Sequence, residues 1–500
     1  MHRWLSVLLS LWIGVACAPP PPATPVTLSA PSAPSAPPST EVARVIVVGG
    51  GIAGLVAAYE LEQQGVSVHV LEMSDRLGGR IATAHYGPGL MAEYGMEEIW
   101  SKSPLATVAR GLGLELDDSE GALSSVLLDG KLRVYSQDTA DEYLHSLFGA
   151  QEYAALRGWM TDAEKLFTEL ESSGMSAKLA PLNDISFATW LEQRKLPPRV
   201  LSFLRLTLEC ELGSDAQSFS ALSGLAEFRV FLFGGESALH VKGGNDRVIG
   251  ALAAALRAEK TLGARVIAVA RSTDKEGRLS AQVTFARNDQ VEALTAERVL
   301  LAVPWTQLHN IQLDPPLPAD VWDAVNGIGR GEYTVVHFLV DKQIQSLWGG
   351  EDNKPFPVLT PGPLGVIYGT EPTPSDQSLE VFSLLVHGTN AGAFHMQPIE
   401  RKRDELLREL EALWPGFSRF VRGANVYTYH PAAIPYWPPG RSPYDAPAQR
   451  LFQAFDGVYL AGDYLVSSHS EGAVRAAQRQ ARAIVEDLQR PRAQPRAVTP

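Results

Sequence analysis

Three glycines and one carboxylate carry the most specific chemical signal in this chain. Gly49, Gly51 and Gly54 stand at GxGxxG spacing, and Glu72 follows Gly54 by 18 residues. In that pattern the first glycine permits a tight turn, the second lets main chain approach a pyrophosphate, and the third lets a helix pack closely on a strand. The acid accepts from a ribose hydroxyl pair and disfavours a 2′-phosphate. Such residues work only in a strand, turn, helix and strand frame. Arg44 to Val48 is a β-branched run suited to a buried parallel strand, and an Ala- and Leu-rich helix begins directly after the glycines. Val66 to Leu71 reads as a second strand ending at Glu72. The N-terminus of the intervening helix offers N–H groups to the phosphates. The chemistry expected is dinucleotide binding.

Asp75-Arg76-Leu77-Gly78-Gly79-Arg80 follows at once, and here the chain resembles the flavin-containing amine oxidase superfamily. That group holds monoamine, polyamine and L-amino-acid oxidases and is related to phytoene desaturases and protoporphyrinogen oxidases. The resemblance implies FAD, bound noncovalently, since no cysteine stands where flavinylated relatives carry their thioether. It places Ala53 of the glycine motif, Gly79 and Arg80 along the cofactor, with Arg80 near its phosphates. Met91 to Trp100 matches the segment beside the isoalloxazine ring, which puts Gly95 and Met96 there. His240 to Arg247 matches a Gly-Gly segment that returns the chain to the cofactor, with Asn245 or Asp246 available to cap a helix over Val248 to Arg257. In the strand Ala264 to Val269, Val266 matches the position whose main chain pairs with adenine. Near the end, Gly462-Asp463 matches a turn whose acid binds ribityl or phosphate groups. Glu471-Gly472-Ala473 opens a helix aimed at the flavin pyrimidine, where a helix N-terminus favours the negative charge that reduction brings.

Substrate-side signals are weaker. Leu105 to about His240 reads as helical, notably Asp141 to Glu171 and Phe187 to Leu206. In Gly331 to Phe338 many relatives carry a lysine that holds water against flavin N5. Here the matching position is Thr334 or Val335, and Lys342 lies too far along. Tyr427 to Gly440 resembles the segment that closes over the flavin, making Tyr436 and Trp437 the expected walls of the substrate site by stacking or cation–π attraction.

At the start, Arg3 precedes an apolar stretch from Trp4 to Val15, and Gly14-Val15-Ala16-Cys17 resembles a bacterial lipoprotein signal. Lipidation of Cys17, plain secretion and a retained anchor all stay open. Residues 19 to 40 are rich in Pro, Ala and Ser and read as an extended tether. An exported protein held at a membrane is the expectation. With two cysteines, one of them Cys17, no disulfide framework is available. A net charge of −13 argues against a nucleic-acid partner, and scattered histidines without ligand spacing give no expectation of a metal.

The fold class expected is α/β, a Rossmann-like FAD-binding domain discontinuous in sequence with a substrate domain of mixed β-sheet plus helices. The division is signal 1–17, linker 18–41, FAD domain 42–103, 241–314 and 441–490, substrate domain 104–240 (helical) and 315–440, and a disordered tail 491–500. The expected reaction is oxidation of a small molecule, an amine or amino acid, by hydride transfer to flavin N5, with oxygen or a quinone as acceptor. A desaturase or dehydrogenase of an isoprenoid, porphyrin-like or other apolar substrate is the alternative that a missing lysine favours. A non-catalytic binding protein on the same scaffold is the third.

Overall fold

The computed structural model describes residues 43–118, 124–136, 139–228, 237–350, 353–370, 377–427 and 432–490. The expected signal, linker and tail, and residues 428–431 of the segment expected to close over the flavin, lie outside the described residues. Val45–Val48, buried along its whole length, pairs in parallel with Val68–Leu71 on one side and Arg298–Leu301 on the other. Glu259–Thr261 and Val458–Leu460 complete a five-stranded parallel sheet at its two edges. The edge strand Glu259–Thr261 has no apolar run to announce it and is located only by its register against His69–Leu71.

Ile52–Gln63 and the C-terminal helix His469–Gln489 pack on one face of that sheet in a shared core. Ala473, Val474, Ala477, Ala481 and Ile484 form the buried stripe that the spacing predicts. Gly54 sits where a Cβ would overlap the carbonyl oxygen of Gly49, so the third glycine is what lets helix and strand touch. The opposite face is covered by a four-stranded sheet that includes Arg265–Thr273, with Val266 and Val269 turned into the second core.

The expected helix over Phe187 to Leu206 is two helices, Phe187–Gln193 and Pro198–Leu212. Two consecutive prolines, Pro197 and Pro198, lack N–H donors, and Lys195 takes a positive φ of 52°, so helical hydrogen bonding cannot run through. Ala140–Ser173 is likewise broken at Gly149. The stretch expected to be helical also contributes Ser125–Leu128 and Lys131–Arg133 to the edge of a seven-stranded sheet. Its helix Pro104–Gly111 packs into the core of the dinucleotide half. In that large sheet Tyr333–Asp341 lies between Leu379–His387 and Val421–Tyr427. Val336, Phe338 and Val340 face an aromatic core with Phe382, Trp414 and Phe417, which leaves Tyr333, Val335 and His337 on the opposite face.

Asn245 does not cap its helix, Asp246–Ala255. Fully buried, it accepts from the N–H of Val241 at 2.9 Å and donates to the carbonyls of Met96 (3.1 Å) and Glu97 (2.8 Å). Three main-chain partners satisfy a buried amide more completely than one cap bond.

Gly54→Ala is expected to cost about 1–3 kcal/mol by overpacking. Gly51→Ala, where a Cβ meets nothing within 4 Å, is expected to stay within about 0.5 kcal/mol of wild type. Denaturant unfolding of the two variants side by side checks the contrast.

Candidate active site

The glycine turn, the strand ends and the returning chain segments enclose one cavity of about 1860 Å³. That exceeds the ~300–1,000 Å³ taken by a single small ligand and suits a dinucleotide plus a small substrate. At one end Gly49, Gly51 and Ala53 form the wall. Gly49 has φ +107°, and a Cβ there would crowd the carbonyl of Ala302, whereas Gly51 lays bare main chain toward open space. Among the described residues no side chain caps the helix at Gly51, so its first-turn N–H groups remain for an anion. Glu72 is held on the wall by the N–H of Gly50 (2.6 Å) and by the N–H and hydroxyl of Ser74 (both 2.8 Å).

Gly79, Gly95, Met96, Val266, Gly462 and Ala473 line the cavity. A Cβ at Gly95 would overlap the carbonyl of Arg80, so glycine lets the two cofactor segments close on each other. Arg80 and Asp463 also line it, but the structure joins them. The guanidinium donates to both carboxylate oxygens at 2.6 and 2.8 Å and to the carbonyl of Ala433 at 2.6 Å. Asp463 is 2 % exposed, and a carboxylate so enclosed needs a counter-charge. Gly54, Glu471 and Gly472 do not line the cavity. Gly472 clears the carbonyl of Ser467 where a Cβ would collide, and Glu471 pairs with Arg475 at 2.6 Å. These residues shape the turns from behind.

Tyr436 and Trp437 are not walls of the cavity. Neighbouring side chains in an extended segment diverge, and each finds a core on its own side. Tyr436 covers Gly329 and meets the edge of Phe219 at 6.2 Å, while Trp437 is buried in the core behind the parallel sheet. Ala433 and Ile434 line the cavity in their place. Its aromatic surface includes Tyr94 and Tyr427, stacked at 4.4 Å, and Tyr333 and Tyr368. Of Thr334 and Val335, Val335 is the one that lines the cavity, and Lys342 lies off it. Lys354, from another segment, also lines it.

Tyr427 is fixed from behind. His337 Nε2 donates to the carbonyl of Glu93 at 2.8 Å, so Nδ1 accepts from the Tyr86 hydroxyl at 2.7 Å, and that oxygen accepts from Tyr427 at 2.8 Å. Burial, only partly offset by the bond to Glu93, lowers His337 to about 4.

A charged cluster that no motif announced stands on the same cavity. His469 Nε2 lies 3.0 Å from Glu227 and 3.3 Å from Glu211. Burial disfavours the charged ring, but the two carboxylates outweigh it and push His469 up to about 9. Glu211, raised by burial and by Glu227 and Glu98 against the pull of His469, is pushed up to about 7. Glu97 and Glu98 line the cavity with it, and all three act on the Tyr368 hydroxyl.

The family model described as flavin containing amine oxidoreductase matches residues 52–485. A Mycobacterium tuberculosis protein provisionally named flavin-containing monoamine oxidase AofH is 26 % identical over 381 residues, 74 % of this chain and 79 % of that one. Polyamine oxidase 2 of Arabidopsis thaliana is 29 % identical over 307 residues, 60 % and 59 % of the two chains. Cyclohexylamine oxidase from Brevibacterium oxydans IH-35A shares the fold at a TM-score of 0.74 and 22 % identity, over 90 % of this chain and 100 % of its own.

Asp463→Ala strands the Arg80 guanidinium. A loss of about 2–4 kcal/mol is expected, below the usual cost of breaking a fully buried pair because Arg80 keeps some exposure, with less flavin co-purifying by visible absorbance. For His337 the folded ring binds a proton less readily than the unfolded one. Its contribution is complete above about pH 6.5 and is lost as pH falls toward 4, about 3 kcal/mol over that window. His337→Gln should flatten the slope of unfolding free energy against pH there.

Proposed function

We infer the activity from this premise: the chain belongs to the family of flavin-containing amine oxidoreductases and is an FAD-dependent oxidoreductase. The substrate that the site suits best is a small amine entering as an ammonium cation. One observation carries this choice, the gathering of Glu97, Glu98 and Glu211 on the cavity wall around Tyr368. In an enclosed site of low dielectric such charges attract a cation far more strongly than in water. The carboxylate of an amino acid would meet like charge there, and an isoprenoid would bring the acids no counter-charge.

Bound FAD supplies the hydride acceptor for the carbon beside the nitrogen. The chain's own residues hold that cofactor at Gly51, Glu72 and the other lining positions, orient the amine and keep water out.

A second reading concerns the electron acceptor. Val335, an aliphatic side chain, occupies the inward position that the resemblance matches to a water-holding lysine. That supports a quinone or another acceptor over molecular oxygen. Under anaerobic mixing, benzylamine or butylamine is expected to bleach the visible flavin absorbance, and leucine, phenylalanine and polyprenoid lipids to leave it. Admitting air should restore colour slowly. Val335→Lys should speed that recovery by about tenfold, equivalent to about 1.4 kcal/mol, with little change in the bleaching rate. Bleaching by amino acids alone would refute the amine assignment.

A further inference from the structure

We propose that Glu211 is the base that removes the proton from the substrate's ammonium group, with His469 and Glu227 as its positioning residues. The inference rests on the amine reading above and goes beyond it to the residue that makes the amine reactive. An amine is a cation at neutral pH, and its carbon cannot release a hydride until the nitrogen lone pair is free to form the C=N bond. The step is R–CH2–NH3⁺ plus Glu211–COO⁻ giving R–CH2–NH2 plus Glu211–COOH. The C–H electron pair then leaves as hydride to FAD, the lone pair forms C=N, and the product is an iminium cation. Glu211 returns its proton to solvent between turnovers.

Three elements, two successive helices and the distant C-terminal helix, converge to place this carboxylate. Glu211 is in the last turn of Pro198–Leu212, Glu227 is near the end of Ala221–Phe228, and His469 opens the C-terminal helix. The Tyr333 hydroxyl donates to the carbonyls of Cys210 and Glu211 and clamps that helix end. His469 has a φ of +74°. A non-glycine residue keeps such a conformation only when its surroundings impose it, and such residues gather at working sites. Of the three, Glu211 and His469 line the cavity and Glu227 stands behind them.

Charged and titratable groups face Glu211 from every packed element. They are His469 on the C-terminal helix, Glu227 on its own helix, and Glu98 before Ile99–Trp100. Tyr333 and Tyr368 face it from the large sheet, and Cys210 is its chain neighbour. Asp463 acts on His469 in turn. Burial and two nearby acids raise Glu211 while the imidazolium opposes them, so at neutral pH both forms are populated, as a general base requires.

The test is anaerobic rapid mixing of full-length, FAD-loaded protein with benzylamine or butylamine across pH. In wild type the second-order rate of flavin bleaching should rise through about pH 7. Glu211→Gln should lose that limb, with a rate about 100-fold lower at pH 7 and a gap that closes as pH approaches the amine's own pKa. His469→Asn, an exchange to a residue that tolerates positive φ, removes the cation that opposes burial, so the limb should move to higher pH. A Glu211→Gln profile with the wild-type limb overturns the assignment while the amine reading stands. If Glu211→Gln fails to hold FAD, His469→Asn decides: a limb moved upward supports the assignment and an unmoved limb overturns it. Wild type that neither amine bleaches takes both down.

Discussion

Parallel pairing of Val45–Val48 with a strand on each side is the constraint from which the rest of the molecule follows. A buried strand must satisfy every main-chain donor and acceptor through its neighbours, and parallel neighbours cannot be joined by a tight turn. The chain therefore leaves the sheet and comes back, first for Val68–Leu71, then for Glu259–Thr261 and Arg298–Leu301, last for Val458–Leu460. Each excursion is long enough to build something. The one between Arg298–Leu301 and Val458–Leu460 makes most of the seven-stranded sheet that roofs the cavity. Because the strands run the same way, the turns after Val48, Leu71 and Leu460 emerge at one edge and bring Gly49, Glu72 and Gly462 to a single opening.

The two ends of the cavity differ in how they treat charge. At the dinucleotide end the charged side chains are committed, Arg80 to Asp463 and Glu72 to the turn at Gly50 and Ser74. Main chain and a helix N-terminus also face a ligand there, which suits phosphates. At the other end, carboxylates outnumber the one imidazolium among them, so the local field favours a cation. Membership of the amine oxidoreductase family and this asymmetry agree, although they come from independent observations.

The cofactor half was legible in the chain because its requirements are local. Gly54 must be glycine within a few residues of the strand it touches, Glu72 closes a strand, and the buried stripe from Ala473 to Ile484 repeats with the helical period. Each can be checked within a short window. The substrate half obeys no such rule. Tyr436 and Trp437 are adjacent aromatics whose partners lie in Phe219 and in the core behind the parallel sheet, and pairing with Gly329 decides which way each turns. Thr334 and Val335 were indistinguishable until the strand found Val336 and Phe338 a core on one face. Asn245 reads as a cap by position, yet burial against Met96 and Glu97 gives it better partners.

From residues alone came the strand, turn and helix at Val45 to Gln63, the strand that ends at Glu72, and the turn at Gly462-Asp463 with the apolar stripe of the helix after it. Those are consequences of backbone geometry over short distances, which side-chain type reports faithfully. Tertiary structure alone decided that Arg80 and Asp463 bind each other, and that Glu211, Glu227 and His469 meet on or behind one wall. Electrostatic pairing acts through space between groups hundreds of positions apart, and the positive φ of His469 is imposed by the packing around it. Nothing in the order of residues records either.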